Sequence, residues 1–197
     1  MKIQKKETRI ALFGTSADPP TYGHQALLEG LLTLFPTVIT WASDNPIKHH
    51  GAPLEKRQKM LNALVQAISN PRLSLKQELS SPWTIETLDL AQNLWPTRNL
   101  IFVIGSDLIG QIPKWVKAKE IMQKTHLGIA PREGWAVSPS ELNALKSLGG
   151  HLELLPLKIP SSASSQVRNK TSTSDIPESI LPILFEHNLY GLTVKKS

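Results

Sequence analysis

The chain has 197 residues and no cysteine, so it is long enough to bury a core without staples, and a disulfide scaffold, a thiolate nucleophile and a cysteine metal site are excluded. Its 22 basic and 16 acidic residues give a net charge of +6, which suits nucleic acid or small polyanions such as nucleotides. No apolar run approaches the ~18 residues of a membrane span, and the run after the basic start is too short for a secretory signal, so a cytoplasmic protein with no membrane partner is expected.

Residues 10–13 read as a first strand that ends at Gly14. The turn Gly14-Thr15-Ser16-Ala17-Asp18-Pro19-Pro20-Thr21-Tyr22-Gly23-His24 then leads into a helical pattern over 22–35, stopped by Pro36. A strand at 37–41 is followed by the loop Asn45-Pro46-Ile47-Lys48-His49 and a helix over 54–68, with Pro71 just beyond. His49 and His50 sit side by side on that loop without a carboxylate partner and read as surface residues rather than a metal pair. A short strand at 73–75 leads to Ser81-Pro82-Trp83-Thr84 and a helix over 84–94, ended by Pro96.

Strand 100–104 ends at Gly105-Ser106-Asp107, and Trp115 precedes a helix over 116–123. Strand 126–130 runs into Ala130-Pro131-Arg132-Glu133-Gly134-Trp135, after which a helix over 139–148 and a strand over 152–155 follow. Residues 161–174 are rich in Ser and Thr. We read them as a functional loop, because Ile180, Leu181, Leu184 and Phe185 then form an apolar helical pattern within 176–192 that returns the chain to the core. Alternating strands and helices argue for an α/β architecture, a doubly wound parallel sheet with helices on both faces. One domain over 1–197 is expected, its C-terminal part helical from about 162. The basic residues are scattered, with small clusters at 2–9 and 195–196 and no stripe of interleaved aromatics, so no nucleic-acid partner is expected.

The turn after the first strand carries the strongest chemical signal. Ligands of open α/β sheets bind beyond the carboxyl ends of strands, where turns meet helix starts. Gly14 and the small residues after it leave backbone N–H groups able to approach phosphate, and a helix beginning near Tyr22 points its positive end at the same place. Gly23 allows close approach, and His24 projects its imidazole from the first helical turn. Taken alone, a Gly/Pro-rich turn with a surface histidine would be ordinary; the Thr-x-Gly-His ending at a strand–helix junction favours function.

That ending, Thr21-Tyr22-Gly23-His24, resembles the (His/Thr)-x-Gly-His signature of the nucleotidylyltransferase superfamily. The resemblance implies that His24 binds phosphates and stabilises the transition state, assisted by Thr21. A fuller bacterial pattern, Gly-Gly-Thr-Phe-Asp-Pro-x-His-x-Gly-His, is departed from at Thr15, Ser16, Ala17 and Thr21. The superfamily's second signature, a hydroxyl-rich turn ending in a basic residue, is matched by Ser161-Ser162-Ala163-Ser164-Ser165-Gln166-Val167-Arg168. Hydroxyls there can hold a triphosphate, and Arg168 can neutralise charge on transferring oxygens.

The middle of the chain resembles bacterial nicotinate mononucleotide adenylyltransferases. Ser81-Pro82-Trp83-Thr84-Ile85-Glu86-Thr87-Leu88 is similar to their Ser-Tyr-Thr-x-x-Thr-Leu, and Phe102-Val103-Ile104-Gly105-Ser106-Asp107-Leu108 to their Ile-Gly-Ala-Asp, with Trp115 at the family's spacing. Asn45-Pro46-Ile47-Lys48-His49 resembles their Pro-x-x-Lys element, with Arg57 and Met60 in the next helix, and Leu181-Pro182 through Leu189-Tyr190 resembles their terminal helix. Arg132 stands where their Arg-Pro-Gly-Tyr usually lies.

The resemblance implies a Rossmann-like fold and adenylyl transfer from ATP to nicotinate mononucleotide. It implies catalytic roles for His24, Lys48 and Arg168. The ATP site would comprise Gly14, Thr15, Ser16, Thr21, Gly23, His24, Gly105, Asp107, Ser164, Ser165 and Arg168, and the acceptor site Lys48, Trp83, Thr84, Trp115 and Arg132. Backbone N–H groups around Trp83 and Thr84 would meet the nicotinate carboxylate, and the two tryptophans, otherwise packing residues, would flank its ring. No protein metal cluster is visible, which suits Mg²⁺ held mainly by the phosphates of ATP. An adenylyltransferase with nicotinamide mononucleotide or phosphopantetheine as acceptor, a cytidylyltransferase and a non-catalytic nucleotide- or RNA-binding α/β protein remain as alternatives, and assembly into a homo-oligomer is compatible with the sequence.

Overall fold

Residues 8–162, 164–170 and 172–192 are described by a computed structural model of the chain; the basic clusters at 2–7 and 195–196 lie outside them. In chain order the first half comprises β1 (Arg9–Thr15), α1 (Tyr22–Leu34), β2 (Thr37–Ala42), α2 (Leu54–Ile68), β3 (Leu73–Leu75) and α3 (Thr84–Leu94). Then come β4 (Asn99–Gly105), a 3-10 stretch (Ser106–Lys114), α4 (Ala118–Lys124), β5 (His126–Ala130), α5 (Pro139–Ser147), β6 (His151–Leu154), α6 (Ser164–Lys170) and α7 (Leu181–Glu186).

The strands form one sheet in the order β3-β2-β1-β4-β5-β6, and every pairing is parallel. Both faces are covered, which is why the strands read as continuous apolar runs. Successive side chains point to opposite faces. Ala11, Phe13, Ile101 and Val103 pack on the side of α1 and α2, whereas Ile10, Leu12, Leu100, Phe102 and Ile104 pack on the side of α3 and α4. The chain moves outward from β1 through β2 to β3, then returns to the other side of β1 at β4. Loops leaving β1 and β4 therefore diverge and open a crevice at their carboxyl ends, as in other Rossmann-like sheets.

Three expectations are corrected. The helix expected over 116–123 starts later, at Ala118, because Lys117 adopts a left-handed conformation (φ 58°), and the chain before it forms the unforeseen 3-10 stretch containing Pro113. The loop expected over 161–174 contains α6. The single helix expected within 176–192 is broken into the 3-10 turn Glu178–Ile180, α7 and the 3-10 turn Leu189–Gly191. Pro182 is tolerated because it lies at the start of α7, while Asn188 (φ 48°) and Tyr190 (φ 56°) turn the backbone left-handed and end helical propagation.

Candidate active site

A cleft of about 540 Å³ opens at the carboxyl ends of β1 and β4. Every residue expected at the site lines it except Thr21, which is fully buried behind His24. Lys48, Trp83, Thr84 and Trp115 are thereby brought into one cleft with His24, Ser164, Ser165 and Arg168, from five separate segments of the chain.

The start of α1 fixes the state of His24. The Thr21 N–H donates to His24 Nδ1 at 3.0 Å, and the Thr21 hydroxyl lies 2.9 Å from the same atom. An atom that accepts an amide hydrogen cannot itself carry a proton, so the neutral ring holds its proton on Nε2. Burial and, secondarily, the nearby positive charge of Arg132 push the imidazole pKa down to about 4. His24 is therefore a neutral N–H donor at physiological pH in the ligand-free protein.

The amides opening α1 are taken by the protein itself. Tyr22 N–H donates to the Asp175 carbonyl at 2.9 Å, and Gly23 N–H donates to Ser162 Oγ at 2.8 Å. Gly23 matters for a different reason from the one anticipated: a Cβ there would lie 3.0 Å from the Ser162 carbonyl. Its missing side chain lets the C-terminal signature close onto the N-terminal one. Ser164 Oγ completes that closure by donating to the Pro19 carbonyl at 2.8 Å.

Asp18, which the sequence reading left outside the site, organises this half of the cleft. Its buried carboxylate accepts Gly51 N–H at 2.7 Å, Ala52 N–H at 3.0 Å and the Tyr190 hydroxyl at 2.7 Å. Arg168 Nη1 donates to its carbonyl at 2.5 Å and lies 3.5 Å from its carboxylate. The usable signal was an acid inside a turn suited to phosphate, since a carboxylate there must be satisfied by the protein itself. Arg57, buried in α2, likewise donates to the carbonyls of Ser16 (2.8 Å), Ser43 (2.6 Å) and Ala52 (3.0 Å) and to Asp44 (3.0 Å). It holds the loops after β1 and β2 together.

His49 is exposed, as expected, but His50 is not a surface residue. Its side chain is 14% exposed, with Nδ1 3.7 Å from the Asp18 carboxylate. Burial first and Arg57 second lower its pKa.

The other half of the cleft is aromatic. Trp83 and Trp115 are both partly buried at its wall, and Trp115 packs edge-on to Phe102, with centroids 6.3 Å apart. Trp83 N–H turns back to Ser81 Oγ at 3.3 Å. The donors at the start of α3 are thus the amides of Thr84 and Ile85, which open the helix and have no acceptor within it. Lys48 is exposed at the rim.

Arg132, expected in the acceptor pocket, spans the two halves. It donates to Asp107 at 3.1 Å and to the Ser162 carbonyl at 2.9 Å, and its own N–H meets Ser106 Oγ at 3.0 Å. Through one Nη1–H and one Nη2–H it joins the segments after β4 and β5 to the C-terminal signature.

Among the described residues no group of three or more His, Asp or Glu is arranged for a metal ion, and no helix is long and apolar enough to cross a membrane. Asp18 is saturated by protein donors and Asp107 is paired with Arg132.

The family model described as cytidylyltransferase-like matches residues 12–179. A Synechocystis protein named "Probable nicotinate-nucleotide adenylyltransferase" is 35% identical, with 92% of this chain and 98% of that protein covered. The Bacillus subtilis protein named nicotinate-nucleotide adenylyltransferase is 30% identical over 66% of this chain and 72% of its own. In fold, the chain is similar to the Plasmodium falciparum nicotinic acid mononucleotide adenylyltransferase complexed with NaAD, with a TM-score of 0.75 at 21% identity over 94% of this chain and 98% of the other.

Proposed function

This chain belongs to the cytidylyltransferase-like family and, within it, to the nicotinate-nucleotide adenylyltransferases, and from that premise we propose that it transfers the adenylyl group of ATP to nicotinate mononucleotide, yielding deamido-NAD and pyrophosphate in NAD biosynthesis. The observation that carries this reading is the convergence of His24, from the N-terminal signature, with Ser164, Ser165 and Arg168, from the C-terminal one, in a cleft that Trp83 and Trp115 also line. Phosphate chemistry and a flat aromatic acceptor would thereby be served within one cleft. A cytoplasmic location accords with the absence of cysteine.

A phosphate oxygen of the acceptor is already anionic at neutral pH, so it needs neither a strong general base nor a protein nucleophile. It attacks the α-phosphorus of ATP, and the bond from that phosphorus to the α–β bridging oxygen breaks to release pyrophosphate. Catalysis then rests on alignment and on stabilising charge that grows on the phosphoryl oxygens. His24 would donate Nε2–H to those oxygens as a neutral group. Arg168 and the hydroxyls of Ser164 and Ser165 would hold the triphosphate, and Mg²⁺ would enter as the counter-ion of ATP. Lys48, at the rim, would neutralise charge as the two substrates approach. On the other wall the pyridine ring would lie between Trp83 and Trp115, its carboxylate against the amides of Thr84 and Ile85.

Pyrophosphate release tests this directly. Wild-type protein with Mg²⁺ and ATP is expected to release pyrophosphate with nicotinate mononucleotide and far less with phosphopantetheine. Turnover with CTP in place of ATP, or with phosphopantetheine as the better acceptor, would replace this reading with one of its relatives.

A further inference from the structure

Tyr190 lies outside the lining of the cleft, yet its backbone is held left-handed (φ 56°, ψ 25°). That conformation is costly for a residue with a bulky side chain, and a glycine would adopt it freely. It aims the phenol inward, where the hydroxyl donates to Asp18 Oδ1 at 2.7 Å. The ring rests beside Gly51 on the face that Arg168 also occupies: a Cβ at Gly51 would stand 2.9 Å from the Tyr190 ring and 2.9 Å from Arg168 Cδ. Arg168 in turn donates to the Asp18 carbonyl. Burial and the adjacent Asp18 carboxylate raise the phenol pKa, so the hydroxyl stays a donor throughout the neutral range.

We propose that Tyr190 is a positioning residue for the ATP half of the site: by capping Asp18 and packing with Arg168 around the bare backbone of Gly51, it sets where the Arg168 guanidinium meets the triphosphate. The proposal rests on the assignment of Arg168 to ATP. It gives the residues after α7 a function in binding rather than in core packing alone. The strained backbone at Tyr190 is then the local cost of a fixed anchor, a pattern common where geometry must be held for function.

The test measures affinity for a non-hydrolysable ATP analogue by calorimetry, so that it does not depend on which acceptor the enzyme uses. Tyr190→Phe, which keeps the ring and removes one hydrogen bond to a charged group, is expected to weaken the analogue about fivefold to tenfold. Affinity for nicotinate mononucleotide alone should stay within about twofold. In an Arg168→Ala background the same change should have no further effect, because its route of action is gone. Gly51→Ala, which crowds both partners, should reproduce the selective loss of analogue affinity. Unchanged analogue affinity in Tyr190→Phe, or losses that add fully in the double variant, would overturn the proposal and leave Tyr190 a packing residue. Failure of nicotinate mononucleotide to accept an adenylyl group would instead contradict the proposed function and leave this result standing.

Discussion

Around the end of β1 the cleft is tied across the chain: Asp18 reaches Gly51, Ala52 and Tyr190, Ser162 reaches Gly23 and Arg132, and Ser164 reaches Pro19. Around Trp83 and Trp115 the contacts are of another kind, an edge-on ring packing against Phe102 and a local turn from Trp83 to Ser81. The difference matches the two tasks of the proposed function. Charge that appears only in the transition state is best stabilised by donors already fixed in place, which suits a cross-linked phosphate half. A flat acceptor is recognised by shape, apolar contact and a few polar groups, which suits an aromatic half with fewer ties.

This contrast can be broken from either side. The largest effect is expected for His24→Ala: turnover should fall roughly a hundredfold or more, while the melting temperature stays near that of the wild type. Steady-state rates with saturating substrates and a thermal melt check both. Next, Arg168→Ala should raise the KM for ATP about tenfold to a hundredfold, the scale of losing a charged hydrogen-bonding group, with the acceptor KM little changed. Trp83→Ala should do the reverse, weakening acceptor use by roughly twofold to tenfold, the worth of one aromatic contact, at constant ATP dependence. Were both variants to alter both substrates equally, the division between the two walls would be lost.

The His24 tautomer sharpens the same contrast without a rate measurement. Ring-nitrogen NMR of the ligand-free protein should show Nε2–H and a titration near pH 4 in place of the usual 6.5. The sign for stability follows from linkage. Between those values the unfolded chain binds a proton that the folded chain does not, so acidification from pH 6.5 toward 4 favours unfolding through this group. A titration near 6.5 would mean that burial and Arg132 do not disfavour the charged ring, and a proton found on Nδ1 would mean that the Thr21 amide does not hold that atom.

Much of the fold was legible because hydrophobic runs and proline stops are local. The six strands and their parallel sheet follow from patterns a few residues long, whereas the strand order and the switch beside β1 come from the fold. That the signature residues would share a cleft was legible for a similar reason, since both signatures are short runs. What was hidden depends on partners far away in sequence. Nothing near Gly23 says that its amide would be taken by Ser162, and nothing near His50 says that Asp18 would lie beside it. Arg132 could be placed near the site by its motif, but its commitment to Asp107 and the Ser162 carbonyl is a product of the fold. The break after α7, too, lies at left-handed Asn188 and Tyr190, and the bond of Tyr190 to Asp18 joins positions far apart in sequence.

Acceptor choice tests the central claim most directly, because nicotinate and nicotinamide mononucleotides differ only by a carboxylate against a neutral amide on one ring. The amides of Thr84 and Ile85 suit the carboxylate; an amide's NH₂ turned toward them would leave buried donors unpaired, at about 1–3 kcal/mol each. Measured as kcat/KM with ATP held constant, nicotinate mononucleotide is expected to be preferred by roughly tenfold to a hundredfold. Equal values for the two acceptors, or a preference for the amide, would contradict the nicotinate assignment.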